Sequence, residues 1–279
     1  MTFTPLTKNL LRIAVAITLA FIYVPLFIIL LYAVNPSDVL GWPPEGITLN
    51  WFSEAFQDKG AQEALLNSLR VAAIATLIAL VLGTLASLAV ARHRFFGRDT
   101  VSFLVLIPIA LPGIVTGIAL NATFTQVMGV DLTLWTVVLA HATFCIVLVF
   151  NNAAARLRRM STSLEDASAD LGATPWTTFR RVTIPNMRSA LVAGGLLAFA
   201  LSFDEIVVTN FTIGAGEKTL PVWIFEVLFR PNQPGKVYAV AVIAIILSMI
   251  PVYIANRLTK EESTTASGAG VAAPAIAEP

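Results

Sequence analysis

Charge is what this sequence has least of. Charged residues make up 13% of its 279 positions, against about 25% in an ordinary soluble domain, so most of the chain carries too few ionic groups to face water. A single cysteine, Cys145, excludes an internal disulfide and leaves the redox compartment open. Only two histidines occur. His141 falls four residues before Cys145, which puts both on one helix face, but two ligands without a third make no metal site, and His141 reads as a polar group satisfied inside the protein. The net charge of +1, with no clustered basic face, speaks against a nucleic-acid partner. No Ser-His-Asp set, carboxylate pair or zinc-ligand spacing stands outside the apolar runs, so an enzyme reading has nothing to rest on. Gly214-Ala-Gly-Glu-Lys-Thr imitates a phosphate loop, yet Glu217 occupies the place where a glycine must let backbone amides wrap the phosphates. No cofactor is therefore expected on this chain.

What is present is hydrocarbon. The chain is 57% hydrophobic and its mean hydropathy is +0.79. Six stretches approach the roughly 20 apolar residues that a helix needs to cross a bilayer: about 13–34, 71–91, 101–120, 132–150, 190–213 and 237–255. The first ends in Val-Asn-Pro-Ser rather than at a small-x-small cleavage site, so it reads as a retained span. Pro25, Pro108 and Pro112 read as kinks, since a bundle can re-satisfy the freed carbonyls. The expected fold is all-α and polytopic. It comprises an amino-terminal segment 1–12, a six-span membrane domain 13–260 and a tail 261–279 too poor in bulky apolar residues to fold.

Orientation follows from the basic residues. Lys59, Arg70, Lys218, Arg230 and Lys236 fall on one side of the six spans, and the other thirteen of the eighteen Lys and Arg fall on the opposite side. The positive-inside bias places both termini in the cytoplasm. The largest inner feature is then the loop 151–189, and the largest outer one runs from about 35 to 68. Trp51, Phe52 and Phe56 make the outer loop apolar enough to seek cover, either on the bundle or under a partner.

The inner loop has the punctuation of two short helices. Thr162 with Glu165, or Ser163 with Asp166, has capping-box spacing, and Gly172 supplies a left-handed stop. Thr174 caps a second helix with Pro175 at its first position, and Ile184-Pro185 is expected to end it. A short acidic helix with an apolar stripe has no core of its own, so it either lies against its own bundle or needs a partner surface.

The residues Asp166, Ala167, Ser168, Gly172, Val182, Ile184 and Pro185 keep the spacing of the Glu-Ala-Ala loop of ABC importer permeases, which this segment resembles. Asp for Glu, Ser for Ala, Val for Ile and Ile for Leu are departures that leave the register intact. The likeness extends through Asn67-Ser68-Leu69-Arg70, Ile107-Pro108-Ile109-Ala110-Leu111-Pro112-Gly113-Ile114, Ser202-Phe203-Asp204-Glu205 and Thr219-Leu220-Pro221. Over these segments the chain is similar to the second of the paired permeases of spermidine/putrescine-type importers, whose near relatives include importers of opines and aminophosphonates.

The resemblance implies a MetI-like bundle in the bacterial inner membrane. It implies a coupling loop at Glu165, Asp166, Ala167, Ser168, Gly172, Ile184 and Pro185 that takes up the motion of a separate ATPase dimer, which holds the ATP and Mg. It also implies a second, homologous permease and a periplasmic binding protein as partners.

Asp204 and Glu205 are the acids that stand within a span. Each costs about 2.5 to 3.5 kcal/mol near the bilayer centre, so they should face the bundle interior. Two roles are open: steering a cationic solute, or a structural one, pairing with Arg70 or capping a broken helix. Adjacent residues point about 100° apart, so one of the two is expected to reach the pathway. Rival readings are an ion-coupled transporter using Asp204, Glu205 and His141 as a proton relay, and a membrane scaffold that recruits a cytoplasmic protein without transport.

Overall fold

A computed structural model describes residues 4–37, 41–229 and 234–268. Every regular element among them is helical: α1 (Pro5–Ala33), α2 (Asn50–Gln57), α3 (Lys59–Arg92), α4 (Arg98–Ala110), α5 (Gly113–Ala122), α6 (Leu134–Arg159), α7 (Ser163–Asp170), α8 (Pro175–Thr178), α9 (Ile184–Phe203), α10 (Val207–Thr212), α11 (Leu220–Leu228) and α12 (Pro234–Gly268). A π turn at Thr123–Val127 extends α5, and another at Phe179–Thr183 joins α8 to α9. Five helical runs are long and apolar enough to cross a membrane: α1, α3, α6, the run Pro175–Phe203, and α12 from Gly235 to Arg257. Taken together, α4 and α5 make a sixth span, bent by 104°. The all-α, six-span expectation holds.

Three local expectations are corrected. Pro112 and its neighbour produce more than a kink, because Leu111 is extended at φ −79°, ψ 143° and the span turns a corner there. A residue before proline is pushed out of the helical region, and Pro112 also lacks the N–H that would close the next turn.

Nor does Ile184-Pro185 end the second loop helix. The chain runs on through it into α9, giving one helix from Pro175 to Phe203. Pro185 sits just after the π turn, in the first turn of α9, where the widened backbone tolerates a missing donor. Finally, α12 continues to Gly268, so the tail expected to be unfolded from residue 261 begins as helix. Glu261 and Glu262 are good helix formers, and extending an existing helix needs no new nucleus. Residues 269–279 and Arg230 lie outside the described residues.

The chain divides into two compact units. The first comprises residues 1–63 with 223–246. There α1 is apolar on all sides and buries only Ala33, while Trp51 of α2 is buried and donates from its indole Nε1 to the Asn35 carbonyl at 2.7 Å. Asn35 in turn accepts on Oδ1 from the backbone of Ser37 and of Glu45, which folds the outer loop onto itself. Lys236 Nζ donates to Asp58 Oδ2 at 2.7 Å. Burial by itself would raise the Asp58 carboxyl, but the bond and charge of Lys236 and the amides of Ala61 and Gly60 outweigh it and hold the group below its ordinary range. Trp51 thus packs within this unit while Phe56 stays exposed.

The second unit comprises 64–222 with 247–279 and is centred on α6, which buries 14 of its 26 residues. Its apolar core gathers Ala79, Phe124, Phe144, Cys145, Val149, Ala198 and Val208 from five helical segments. Thr133 caps α6 and forms a reciprocal capping box with Thr136, whose hydroxyl also reaches the Thr212 carbonyl at 2.7 Å. The helix thereby starts at a fixed depth against the end of α10.

Candidate functional site

Two places in the second unit combine polar chemistry with an apolar setting: the inner loop, and the break in the fifth span. The loop begins with α7, whose first turn holds Glu165 and Asp166. The capping box expected around Thr162 and Glu165 does not form, and no side chain bonds from the Thr162 cap. Glu165 is drawn elsewhere. Its Oε2 stands 3.0 Å from Arg92 Nε at the inner end of α3, and its Oε1 accepts from Thr183 Oγ1 at 3.0 Å.

Gly172 adopts φ +79°, the left-handed stop read from the sequence, and it is there that the chain reverses. Thr174 accepts from the Thr177 amide with Pro175 in the first turn, as expected, and Ser168 Oγ pairs with Thr178 Oγ1 at 3.0 Å. These bonds tie α7 to α8, and through the unbroken helix Pro175–Phe203 they tie the loop to the fifth span. Arg92 and Thr183 were not singled out in the sequence: Arg92 counted only as one of the inner charges, and nothing in the spacing pairs it with Glu165.

The loop is braced on its polar side and open on its apolar one. Leu171 is 89% exposed, and Leu164, Asp166 and Ala167 are exposed as well. The stripe that needs cover is not laid on this chain's own bundle.

The fifth span is interrupted. α9 ends at Phe203, Asp204 is its C-cap, and α10 starts at Val207. Glu205 Oε1 accepts from the Val208 amide at 2.9 Å, so this carboxylate caps the second half-helix, one of the structural roles left open by the sequence. Asp204 Oδ1 accepts from Ser248 Oγ of α12 at 2.8 Å, and Asp204 is otherwise exposed on this chain. Among the described residues Arg70 pairs with neither acid.

His141 spans the break from α6. Its Nδ1 lies 2.8 Å from Ser202 Oγ before the interruption, and its Nε2 lies 2.9 Å from Thr209 Oγ1 after it. Thr209 spends its own proton on the Glu205 carbonyl at 2.8 Å, so its oxygen accepts from the ring, and Nε2 is assigned as protonated. The expectation of a histidine satisfied within the bundle holds. Cys145, one turn further on, bonds the Ala198 carbonyl through Sγ at 3.4 Å and shares no ligand set with it. Ser202, Thr209 and Ser248 were legible only as unremarkable polar residues in apolar runs.

The break in the third span lies beside that in the fifth. Gly113, the first residue of α5, packs on Val207 and Val208 at the start of α10. One turn on, a Cβ at Gly117 would stand 2.7 Å from the Phe211 ring, so only glycine lets the two half-helices approach this closely. Asn121 Nδ2 donates to the Phe211 carbonyl at 2.6 Å. Two half-helices that each begin at a break therefore run side by side, with the Asp204–Glu205 carboxylates at the corner of one of them.

Comparison with known proteins places this architecture. The chain is 32% identical over 244 residues, 88% of its length and 94% of the relative's, to a spermidine/putrescine transport system permease protein, PotC, of Haemophilus influenzae. It is 31% identical over 272 residues, 92% of its length and 95% of the relative's, to a putrescine transport system permease protein, PotI, of Escherichia coli K12. Among solved structures, a bacterial ABC transporter involved in alginate import superposes with a TM-score of 0.67 over 94% of this chain and 99% of that one, at 18% identity, which shows a shared fold. Residues 79–261 match the family described as the inner membrane component of binding-protein-dependent transport systems. With a family match across most of the chain and relatives above 30% identity along nearly all of it, this protein belongs to the binding-protein-dependent transport system inner membrane components, a family of membrane permeases.

Proposed function

We propose that the chain is one of two paired permease subunits of an ATP-driven importer in a bacterial inner membrane, with both termini cytoplasmic, and that it passes a small polyamine-type cation delivered by a periplasmic binding protein. The observation that carries this reading is the carboxylate pair at the break in the fifth span, in a chain whose relatives are named as polyamine permeases along nearly their whole length. Asp204 has the freer carboxylate of the two and is the acid that meets the solute; Glu205 holds the corner at which it is presented. A polyamine is an extended, multiply charged chain, and an anionic corner with apolar walls matches its alternation of ammonium and methylene groups.

Energy enters at the inner loop. Leu164 and Ala167 of α7, with Leu171 just after it, present an uncovered apolar stripe to a separate ATPase dimer, which holds the ATP and Mg. Glu165 braces α7 on Arg92 and Thr183, and Ser168 braces it on Thr178. Gly172 makes the turn, and Ile184 and Pro185 carry the motion into α9 without interruption. Closure of the ATPase dimer then moves the lower half of the fifth span against α6 and turns the break toward the outside; hydrolysis resets it. The bond chemistry belongs to the partner chain.

Reconstituted transporter and radiolabelled putrescine test the reading. Asp204→Asn and Glu205→Gln keep the acceptors for Ser248 and the Val208 amide while removing both charges, and together they should lower ATP-dependent putrescine uptake at least tenfold, the effect of about 1.4 kcal/mol. Unchanged rate and selectivity would exclude the carboxylates from the pathway. Uptake that ignores ATP but collapses with the proton gradient would overturn the importer mechanism itself.

A further inference from the structure

The second unit carries an apolar slot that none of the preceding roles employs. It has a volume of about 560 Å³, within the range of small-ligand sites. Leu80, Val81 and Leu85 of α3 form one wall, and Trp176, Phe179 and Val192 of the loop and α9 form another. The lining is almost entirely carbon. Trp176 and Phe179 stack with ring centroids 5.4 Å apart, and Trp176 is nonetheless 67% exposed. Leu80 and Leu85 stand about 10 to 18 Å from Arg92 along the helix axis at 1.5 Å per residue. The α3 wall of the slot therefore lies at hydrocarbon depth, on the side of the bilayer that holds the charged end of the span.

Its rim is basic. Ile184, Leu191 and Val192 line the slot, and Arg188 falls between them at helical spacing on the same face of α9. Arg181 lies three residues before Ile184. Both arginines are exposed, and among the described residues neither pairs with a carboxylate. Hydrocarbon walls reaching up to unpaired guanidinium groups have the complementarity of an anionic amphiphile: a chain for the slot and a phosphate for the fork-shaped donors.

We propose that this slot binds an anionic phospholipid, one acyl chain lying against Leu85, Trp176 and Val192 and the headgroup held by Arg188 and Arg181. The lipid would pack between α3 and the helix that carries the coupling loop, so its occupancy stiffens that loop. The inference rests on the membrane-bundle fold and on neither the identity of the solute nor the ATPase contact.

The test uses the full chain, purified with the subunits it assembles with and placed in nanodiscs containing increasing amounts of phosphatidylglycerol or phosphatidylcholine with brominated acyl chains. The signal is the part of the tryptophan fluorescence that disappears in Trp176→Phe. Phosphatidylglycerol should half-quench it at no more than about one fifth of the mole fraction needed with phosphatidylcholine, the preference that one of the two guanidinium groups would give by itself. Arg181→Gln with Arg188→Gln should abolish the difference, and Lys at both positions should restore most of it. Equal quenching by the two lipids would mean bulk bilayer only. A Trp176 signal that neither lipid quenches would mean that protein fills the slot. Either result overturns the proposal.

Discussion

The third and fifth spans are both broken, and their breaks have different causes. At Leu111-Pro112 the interruption is covalent: proline cannot donate, and it forces its neighbour into an extended conformation. At Asp204–Ile206 there is no proline or glycine. That corner is held by side chains, with Glu205 capping α10, Thr209 bonding the Glu205 carbonyl, His141 clasping Ser202 and Thr209, and Ser248 engaging Asp204. The Leu111-Pro112 break is set in the backbone of the two residues themselves. A break held by hydrogen bonds can be remade, which suits the span that is joined without interruption to the inner loop.

The comparison predicts unequal responses to substitution. His141→Ala should have the largest effect, since it leaves the buried Ser202 hydroxyl without its partner at about 1 to 3 kcal/mol and takes from Thr209 the donor that its oxygen accepts. The purified transporter should melt several degrees lower and lose uptake, whereas a melting temperature equal to wild type would show that the fifth-span corner does not depend on this clasp. Gly117→Leu comes next. With a Cβ 2.7 Å from the Phe211 ring, the two half-helices must separate, at about 1 to 3 kcal/mol for overpacking, and putrescine uptake should fall below detection while the subunits still co-purify.

Pro112→Ala should be milder in stability, about 0.4 to 1 kcal/mol, but it removes the cause of the third-span corner. Spin labels on cysteines at the exposed positions Leu104 and Ile118 should move apart toward the ~21 Å of a straight helix. An unchanged distance would mean that packing against α10 sets this corner as well, and the contrast would dissolve.

The smallest effect belongs to a control that involves neither break. Because the Asp58 carboxyl is held below its ordinary value of 3.8, it stabilises the fold fully above that value and loses the contribution as pH falls through its lower folded value. Asp58→Asn should flatten this acid limb in thermal melts and leave the neutral-pH uptake of the wild type nearly intact.

Much of this was legible in the sequence. Six apolar runs, the caps at Thr174 and Pro175, and the left-handed Gly172 are local features, set by hydrocarbon content and by backbone chemistry within a few residues. The corner at Pro112 was visible as a proline but not as a 104° turn, since the same residue in a continuous helix would be a kink. The ending expected at Ile184-Pro185 failed because a π turn absorbs the proline, and nothing in the residue spacing announces a π turn. Glu165 has capping-box spacing from Thr162 and yet turns to Arg92, a charge brought close by folding, which offers a stronger interaction than a local cap.

The sequence alone determined that the chain is a helical membrane protein, where its spans fall and where its inner loop turns, because burying backbone in hydrocarbon leaves few alternatives to a helix and short-range sterics set its stops. Tertiary structure decided which polar groups meet. His141 reaches Ser202 and Thr209 across 61 and 68 residues, Asp204 meets Ser248 across 44, and Arg92 finds Glu165. Such pairings depend on how helices are rotated and stacked against one another, which hydropathy and periodicity do not record.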